Sequence, residues 1–145
     1  MSNYYNVFTD GGARGNPGPG AAAYVIEICQ DKKCEVVEEK HKYLGVVTNN
    51  QAEYQALILA IEVVIKKDRL DQIIFHLDSQ LIVEQMNGNY KVKNSALIPM
   101  YNQAKELLSK TQCKITFIYL PREQNKRADK LVNQALDEGI TAKVE

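Results

Sequence analysis

The chain has 145 residues, 45% hydrophobic and 25% charged, and its 18 basic and 18 acidic side chains cancel to a formal net charge of zero. That length fits one domain with a genuine core, taken as residues 1–145, and the balanced charge excludes a protein that binds nucleic acid by bulk positive potential. Polar residues interrupt every apolar run, which excludes a membrane-spanning helix, and Met1-Ser2-Asn3-Tyr4 lacks the start of a secretory signal, so a cytoplasmic protein is expected.

Tyr4 to Asp10 is aromatic and β-branched and ends at Gly11-Gly12, a strand followed by a turn. Gly11 to Gly20 holds too much glycine and proline for a helix. Ala21 to Ile28 and Cys34 to Tyr43 read as two more strands, joined by the short turn Gln30-Asp31-Lys32-Lys33. Cys29 and Cys34 flank that turn. With Cys113 they make an odd number without the paired spacing of a zinc site. All three read as structural and reduced in a cytosolic compartment, with a disulfide across the hairpin as the alternative for the first two.

Asn50 opens the most regular helix, in which Ala56, Leu57, Ala60, Ile61 and Val64 form one apolar stripe. Lys66 and Lys67 suit its C-terminal end, where the helix dipole favours cations. Ile73 to Leu77 is nearly continuous in apolar residues, as in a strand buried on both faces. Ser79 to Met86 is helical, and Asn87-Gly88-Asn89 breaks it. Ala96 to Leu108 is a further helix with Pro99 near its start, where proline is tolerated. Lys114 to Leu120 is a strand that Pro121 ends. Ala128, Leu131, Val132, Ala135 and Leu136 line a last helix, which Gly139 is expected to terminate. The order βββαβααβα implies an α/β fold: a mixed five-stranded sheet, its first three strands antiparallel and the rest parallel, with helices on both faces.

Four carboxylates occupy the ends of these elements: Asp10, Glu53, Asp78 and Asp129. Asp10 and Asp78 close the first and fourth strands, and ligands of open α/β sheets bind outside the carboxyl ends of parallel strands. Glu53 extends the apolar stripe of its helix backward, so it points to the sheet. Asp129 lies in the first turn of the last helix, and the pattern alone does not bring it to the same edge. Each acid also has a local explanation. Asp10 suits a turn, Asn50 and Glu53 have the spacing of a capping box, Asp78 has the place of an N-cap, and Asp129 suits a helix start. Four such coincidences at one sheet edge are a poorer account than a shared site. Converging carboxylates raise one another's pKa unless a cation neutralises them, and oxygen-only ligands suit Mg²⁺ or Mn²⁺.

Thr9-Asp10-Gly11-Gly12 with Gly15-Asn16-Pro17-Gly18, then Thr48-Asn49-Asn50-Gln51-Ala52-Glu53, then Asp78-Ser79-Gln80, then Pro121 through Asp129 together resemble the type 1 ribonuclease H family over nearly the whole chain. The resemblance implies endonucleolytic hydrolysis of the RNA strand of an RNA–DNA hybrid, leaving 5′-phosphate and 3′-hydroxyl ends. It implies two Mg²⁺ ions, replaceable by Mn²⁺, one held by Asp10 and Asp129 and the other by Asp10, Glu53 and Asp78. Such ions sit about 3.5–4 Å apart, so no protein nucleophile is required. By motif position Asn16, Asn49, Asn50 and Gln80 contact the hybrid, their amides suited to reading a 2′-hydroxyl, and Thr48 and Arg14 contact DNA-strand phosphates. The partner is the hybrid alone, with no membrane or protein partner and a monomer expected.

Two departures mark a short variant. The tryptophan-containing basic protrusion of the best-known bacterial members is missing, since Asn87 to Lys93 runs straight into the next helix, so hybrid affinity falls to Lys91, Lys93 and smaller patches. Arg122 and Glu123 stand where many relatives carry a histidine, and Arg122 can engage phosphate but cannot shuttle protons at neutral pH. His41 and His76 lie in predicted strands and read as structural. The glycine-rich segment lacks the Gly-Lys-Ser/Thr ending of a P-loop. A non-catalytic hybrid-binding module of the same fold is the alternative, and a transposase or integrase ranks below it because the chain has no room for their added domains.

Overall fold

Alternation in the first strand sets the architecture. Tyr5, Val7 and Thr9 are buried on one face of the sheet, while Tyr4, Asn6 and Phe8 between them are partly exposed. A computed structural model of the chain describes residues 3–68 and 71–144. Its elements are β1 (Asn3–Ala13), β2 (Gly18–Gln30), β3 (Lys33–Val47), α1 (Asn49–Val64), β4 (Gln72–Leu77), α2 (Gln80–Met86), α3 (Ile98–Leu108), β5 (Lys114–Tyr119), a 3₁₀ turn at Arg122–Gln124, and α4 (Lys126–Val144). The sheet runs β3-β2-β1-β4-β5. β1, β2 and β3 pair antiparallel, and β1, β4 and β5 pair parallel. This is the mixed sheet that the element order implies.

The core divides by strand parity, as a pleated sheet requires. Tyr24 and Ile26 of β2 face the larger cluster, where Leu57, Ile61 and Val64 of α1 meet Val7, Ile73, Phe75 and Leu77. Ala21 and Ala23, one residue out of phase, face α4 and pack against Val132, Ala135 and Leu136. Helices therefore cover both faces. No helix among the described residues is long and apolar enough to cross a membrane.

Several boundaries differ from the local reading. β1 does not turn at Gly11 but continues to Ala13, because Gly11, Gly12 and Ala13 pair with Ala22, Ala21 and Gly20 of β2. The β2–β3 turn narrows to Asp31 and Lys32, both at positive φ (49° and 70°), as a two-residue hairpin loop that matches strand twist demands. Cys29 and Cys34, register partners across that hairpin, are joined as a disulfide, where free thiols were the first expectation.

Gly139 does not stop the last helix. α4 runs through it to Val144, and a Cβ on Gly139 would lie 2.2 Å from Cγ of Tyr43. The glycine serves close packing of helix on strand rather than termination.

Candidate active site

The two capping roles that competed for Glu53 and Asp78 are filled by neighbours. Thr48 is the N-cap of α1, its side chain accepting from the Gln51 N–H while the Gln51 side chain accepts from the Thr48 N–H, so the box is Thr48–Gln51 and not Asn50–Glu53. Ser79, not Asp78, caps α2. Both acids are thereby free to turn into the sheet edge.

There they meet Asp10. The parallel β1–β4 ladder ends at Thr9 and Leu77, so Asp10 and Asp78 are the next residue on each strand, side by side. Glu53 reaches the same point from α1, and its Oε1 accepts a hydrogen bond of 3.0 Å from the Gly11 N–H. That approach needs glycine at position 11, since a Cβ there would stand 2.3 Å from the Ala52 carbonyl carbon. One carboxylate oxygen from each of Asp10, Glu53 and Asp78 lies within 4.8 Å of the others. Asp129, at the start of α4, is outside that tight trio but lines the same open cleft of about 400 Å³, with Asn49, Asn50 and Arg122. Its Oδ1 is 3.9 Å from Arg122 Nη2.

The electrostatics have one sign. Burial pushes Asp10 up to about 7, with repulsion from Asp78 and then Asp129 adding to it, against a hydrogen bond with Glu53 that lowers it. Burial, then Asp78 and Asp10, hold Glu53 well above the carboxylate range, only partly offset by the Gly11 N–H. Burial also raises Asp78, against the hydrogen bond from Asn125. Three acids that resist ionising together are stabilised by a cation among them. Glu53 Oε2 is buried without a hydrogen-bond partner, an arrangement that is costly for a carboxylate unless something positive is coordinated there. The all-oxygen donor set fits a hard divalent ion.

The other motif residues divide by location. Asn16 Oδ1 accepts from the Asn49 N–H at 3.0 Å, and Asn49 Oδ1 accepts from the Ala13 N–H at 2.9 Å, so the Gly/Pro turn is pinned to the start of α1 at the cleft rim. Arg14 also lines the cleft, and its guanidinium is 2.8 Å from Asp137 and 3.3 Å from the Asn133 amide oxygen, both on α4. Thr48 is occupied in the cap. Gln80, Lys91, Lys93 and Arg122 are exposed, and of these only Arg122 lines the cleft. Asn125 lies in the motif that carries Asp129 but has no role of its own in the sequence reading, although it is 2% exposed. Its Nδ2 donates to Thr9 O (2.9 Å) and to Asp78 Oδ2 (3.1 Å). The available signal was an asparagine directly ahead of an amphipathic helix, the place of an N-cap.

A family model described as reverse transcriptase-like matches residues 8–135. The chain is 39% identical over 131 residues to the bifunctional protein Rv2228c of Mycobacterium tuberculosis, covering 90% of this chain and 35% of that protein. It thus spans about a third of the mycobacterial relatives it matches. It is 33% identical to the ribonuclease H of Chromohalobacter salexigens, over 94% of this chain and 87% of that one. The crystal structure of LC11-RNase H1 in complex with an RNA/DNA hybrid superposes with a TM-score of 0.85 at 38% identity, covering 94% of this chain and 99% of that chain. Strand order, parallel-edge acids and these matches agree: the chain belongs to the type 1 ribonuclease H family, a family of nucleases.

Proposed function

We propose that this chain hydrolyses the RNA strand of RNA–DNA hybrids endonucleolytically, leaving 5′-phosphate and 3′-hydroxyl ends. The observation that carries the reading is the meeting of Asp10, Glu53 and Asp78 oxygens within 4.8 Å, with Asp129 across the same cleft. Asp10, Glu53 and Asp78 are the candidate ligands of one Mg²⁺, and Asp10 with Asp129 of a second, with Mn²⁺ able to substitute. When bound, such ions supply an activated water on one side of the phosphorus and charge stabilisation of the leaving oxygen on the other.

The chain's own groups bind and orient. Asn49 and Asn50 at the cleft, with Asn16 behind Asn49 and Gln80 at the head of α2, offer amides to the RNA 2′-hydroxyls, which DNA lacks. Arg122, 3.9 Å from Asp129, is placed to engage a phosphate entering beside that acid. Arg14 and Thr48 take DNA-strand phosphates at the rim, and Lys91 and Lys93 supply outlying positive charge. The hybrid held by LC11-RNase H1, whose fold this chain shares, supports the substrate class.

The test is cleavage of end-labelled, sequence-matched RNA–DNA, RNA–RNA and DNA–DNA duplexes in Mg²⁺ and in Mn²⁺. Cleavage confined to the RNA of the hybrid, and lost with retained hybrid binding in Asp10→Asn, is expected. Binding without cleavage in either ion would replace this reading with the hybrid-binding module.

A further inference from the structure

Asn125 stands apart from the acids yet touches the backbone or side chain of three segments that carry them. Its Nδ2 donates to the carbonyl of Thr9, the residue before Asp10, at 2.9 Å, and to Oδ2 of Asp78 at 3.1 Å. Its own carbonyl accepts from the Asp129 N–H at 3.1 Å, the first helical bond of α4. Its N–H donates to the Arg122 carbonyl at 3.0 Å and so closes the 3₁₀ turn behind it. Among the described residues the buried polar side chains are Thr9, Asp10, Glu53, Gln85 and Asn125. Gln85 is satisfied by Tyr54 at 2.6 Å, away from the cleft, and the buried Thr9 hydroxyl has no hydrogen-bond partner, so of these neutral side chains it is Asn125 that donates to one of the acids.

The chemistry of the carboxamide suits that place. One nitrogen carries two N–H donors, enough for both acceptors at once, and it brings no charge that would compete with a cation. A lysine or arginine there would neutralise Asp78 permanently, and a carboxylate would add to the repulsion. Holding Oδ2 of Asp78 restrains how its carboxylate can turn within the cluster. Outer partners of this kind orient metal-binding carboxylates in general. The same residue sets where α4 begins, and with it the position of Asp129.

We infer that Asn125 is a positioning residue of the proposed reaction, clamping Asp78 to the end of β1 and starting α4 so that Asp129 faces Asp10. The inference rests on the nuclease reading for its catalytic meaning and on ion binding for its test. Asn125→Ser keeps a good helix N-cap but is too short to bridge Thr9 and Asp78. It is expected to raise the Mg²⁺ half-saturation and lower kcat by roughly 10–100-fold, the range for lost outer partners of a metal site. The hybrid KM should change by less than about twofold, excess Mg²⁺ should restore part of the rate, and the rise in Tm on adding Mg²⁺ should shrink. A serine variant with wild-type Mg²⁺ half-saturation and Mg²⁺-induced Tm rise would overturn the inference. Should that variant misfold, the wild type decides. In an assigned ¹⁵N spectrum, the Asn125 side-chain amide should shift and exchange more slowly as Mg²⁺ is added, and an amide blind to Mg²⁺ overturns it equally. A wild type that binds Mg²⁺ but leaves the hybrid intact would sink the nuclease reading alone, since the ion measurements stand without cleavage.

Discussion

Glu53 and Gly11 are joined by a 3.0 Å hydrogen bond across the seam between α1 and β1, and the bond exists because nothing stands on the Gly11 α-carbon. A methyl there would lie 2.3 Å from the Ala52 carbonyl carbon and oxygen and 2.6 Å from the Glu53 nitrogen. These are backbone atoms, so α1 as a whole would have to move. Gly11→Ala should therefore destabilise the fold by about 1–3 kcal/mol, the usual cost of overpacking, and lower kcat more than about tenfold by carrying Glu53 away from Asp10 and Asp78. Gly12→Ala is the internal control, since its Cβ would meet nothing within 4 Å. Thermal melts and single-turnover cleavage of both variants check this, and equal effects at the two positions would remove the steric argument.

The acid cluster also links stability to pH and to metal. Asp10 is raised from 3.8 to about 7, burial being the main cause, and Glu53 and Asp78 are raised as well. A carboxyl with a raised folded pKa holds its proton more tightly folded than unfolded. Its contribution to stability is thus fully present below the unfolded pKa and is lost as pH climbs through the folded value, here between about pH 4 and pH 7. In EDTA the melting temperature should fall across that window for this reason. Under the proposed function Mg²⁺ would bind the ionised cluster, so its stabilising effect should be larger at pH 8 than at pH 5.5. Melts with and without Mg²⁺ at both values check this; a metal effect independent of pH would show that the cluster does not take up the ion.

Much of this site was legible because it depends on short-range order. The expected strand ends put Asp10 and Asp78 at one sheet edge, which is where the parallel β1–β4 ladder stops although β1 itself runs on to Ala13, and the apolar stripe of α1 aimed Glu53 at the sheet. What could not be read was which of several adjacent candidates wins a local role. Thr48, Asn49 and Asn50 can all cap a helix, and the choice fell to Thr48 because Gln51 completes its box. That choice is what freed Glu53. Asp129 was beyond local rules altogether, because α4 is positioned by Asn125 reaching strands that are distant in sequence. The double glycine after Asp10 looked like a turn because its pairing partners lie in β2, where Ala21 and Ala22 hold it extended.

Gly139 illustrates the same override and gives a stability test. In isolation, alanine at a helical glycine is favourable by about 1 kcal/mol. Here its Cβ would sit 2.2 and 2.3 Å from Cγ and Cδ1 of Tyr43, on the ring's inner end where a side-chain rotation gives little relief. Gly139→Ala should lower the melting temperature, the propensity gain being exceeded by an overpacking cost of about 1–3 kcal/mol. Differential scanning calorimetry checks the sign, and a stabilised variant would mean that α4 can shift away from β3 without loss. Hybrid cleavage should persist, since Gly139 lies outside the residues that line the cleft.

The segment after α2 carries the last prediction. Val92 is partly buried against the main core, which anchors the loop and leaves Lys91 and Lys93 on either side of it exposed to solvent. In a chain of zero net charge, hybrid binding under the proposed function would draw its salt-sensitive share from local lysines of this kind. Each phosphate contact releases condensed counterions and contributes about 0.7–0.9 to the slope of log affinity against log salt. The double substitution of Lys91 and Lys93 by alanine should therefore flatten that slope by about 1.5, raise KM for the hybrid at low salt, and leave kcat and the melting temperature near wild type. Fluorescence anisotropy of a labelled hybrid across a salt series, using uncleavable Asp10→Asn as the background, measures the slope directly. An unchanged slope would mean that the hybrid never reaches these lysines and that its affinity comes from the cleft and its rim, where Arg14 and Arg122 are the cations.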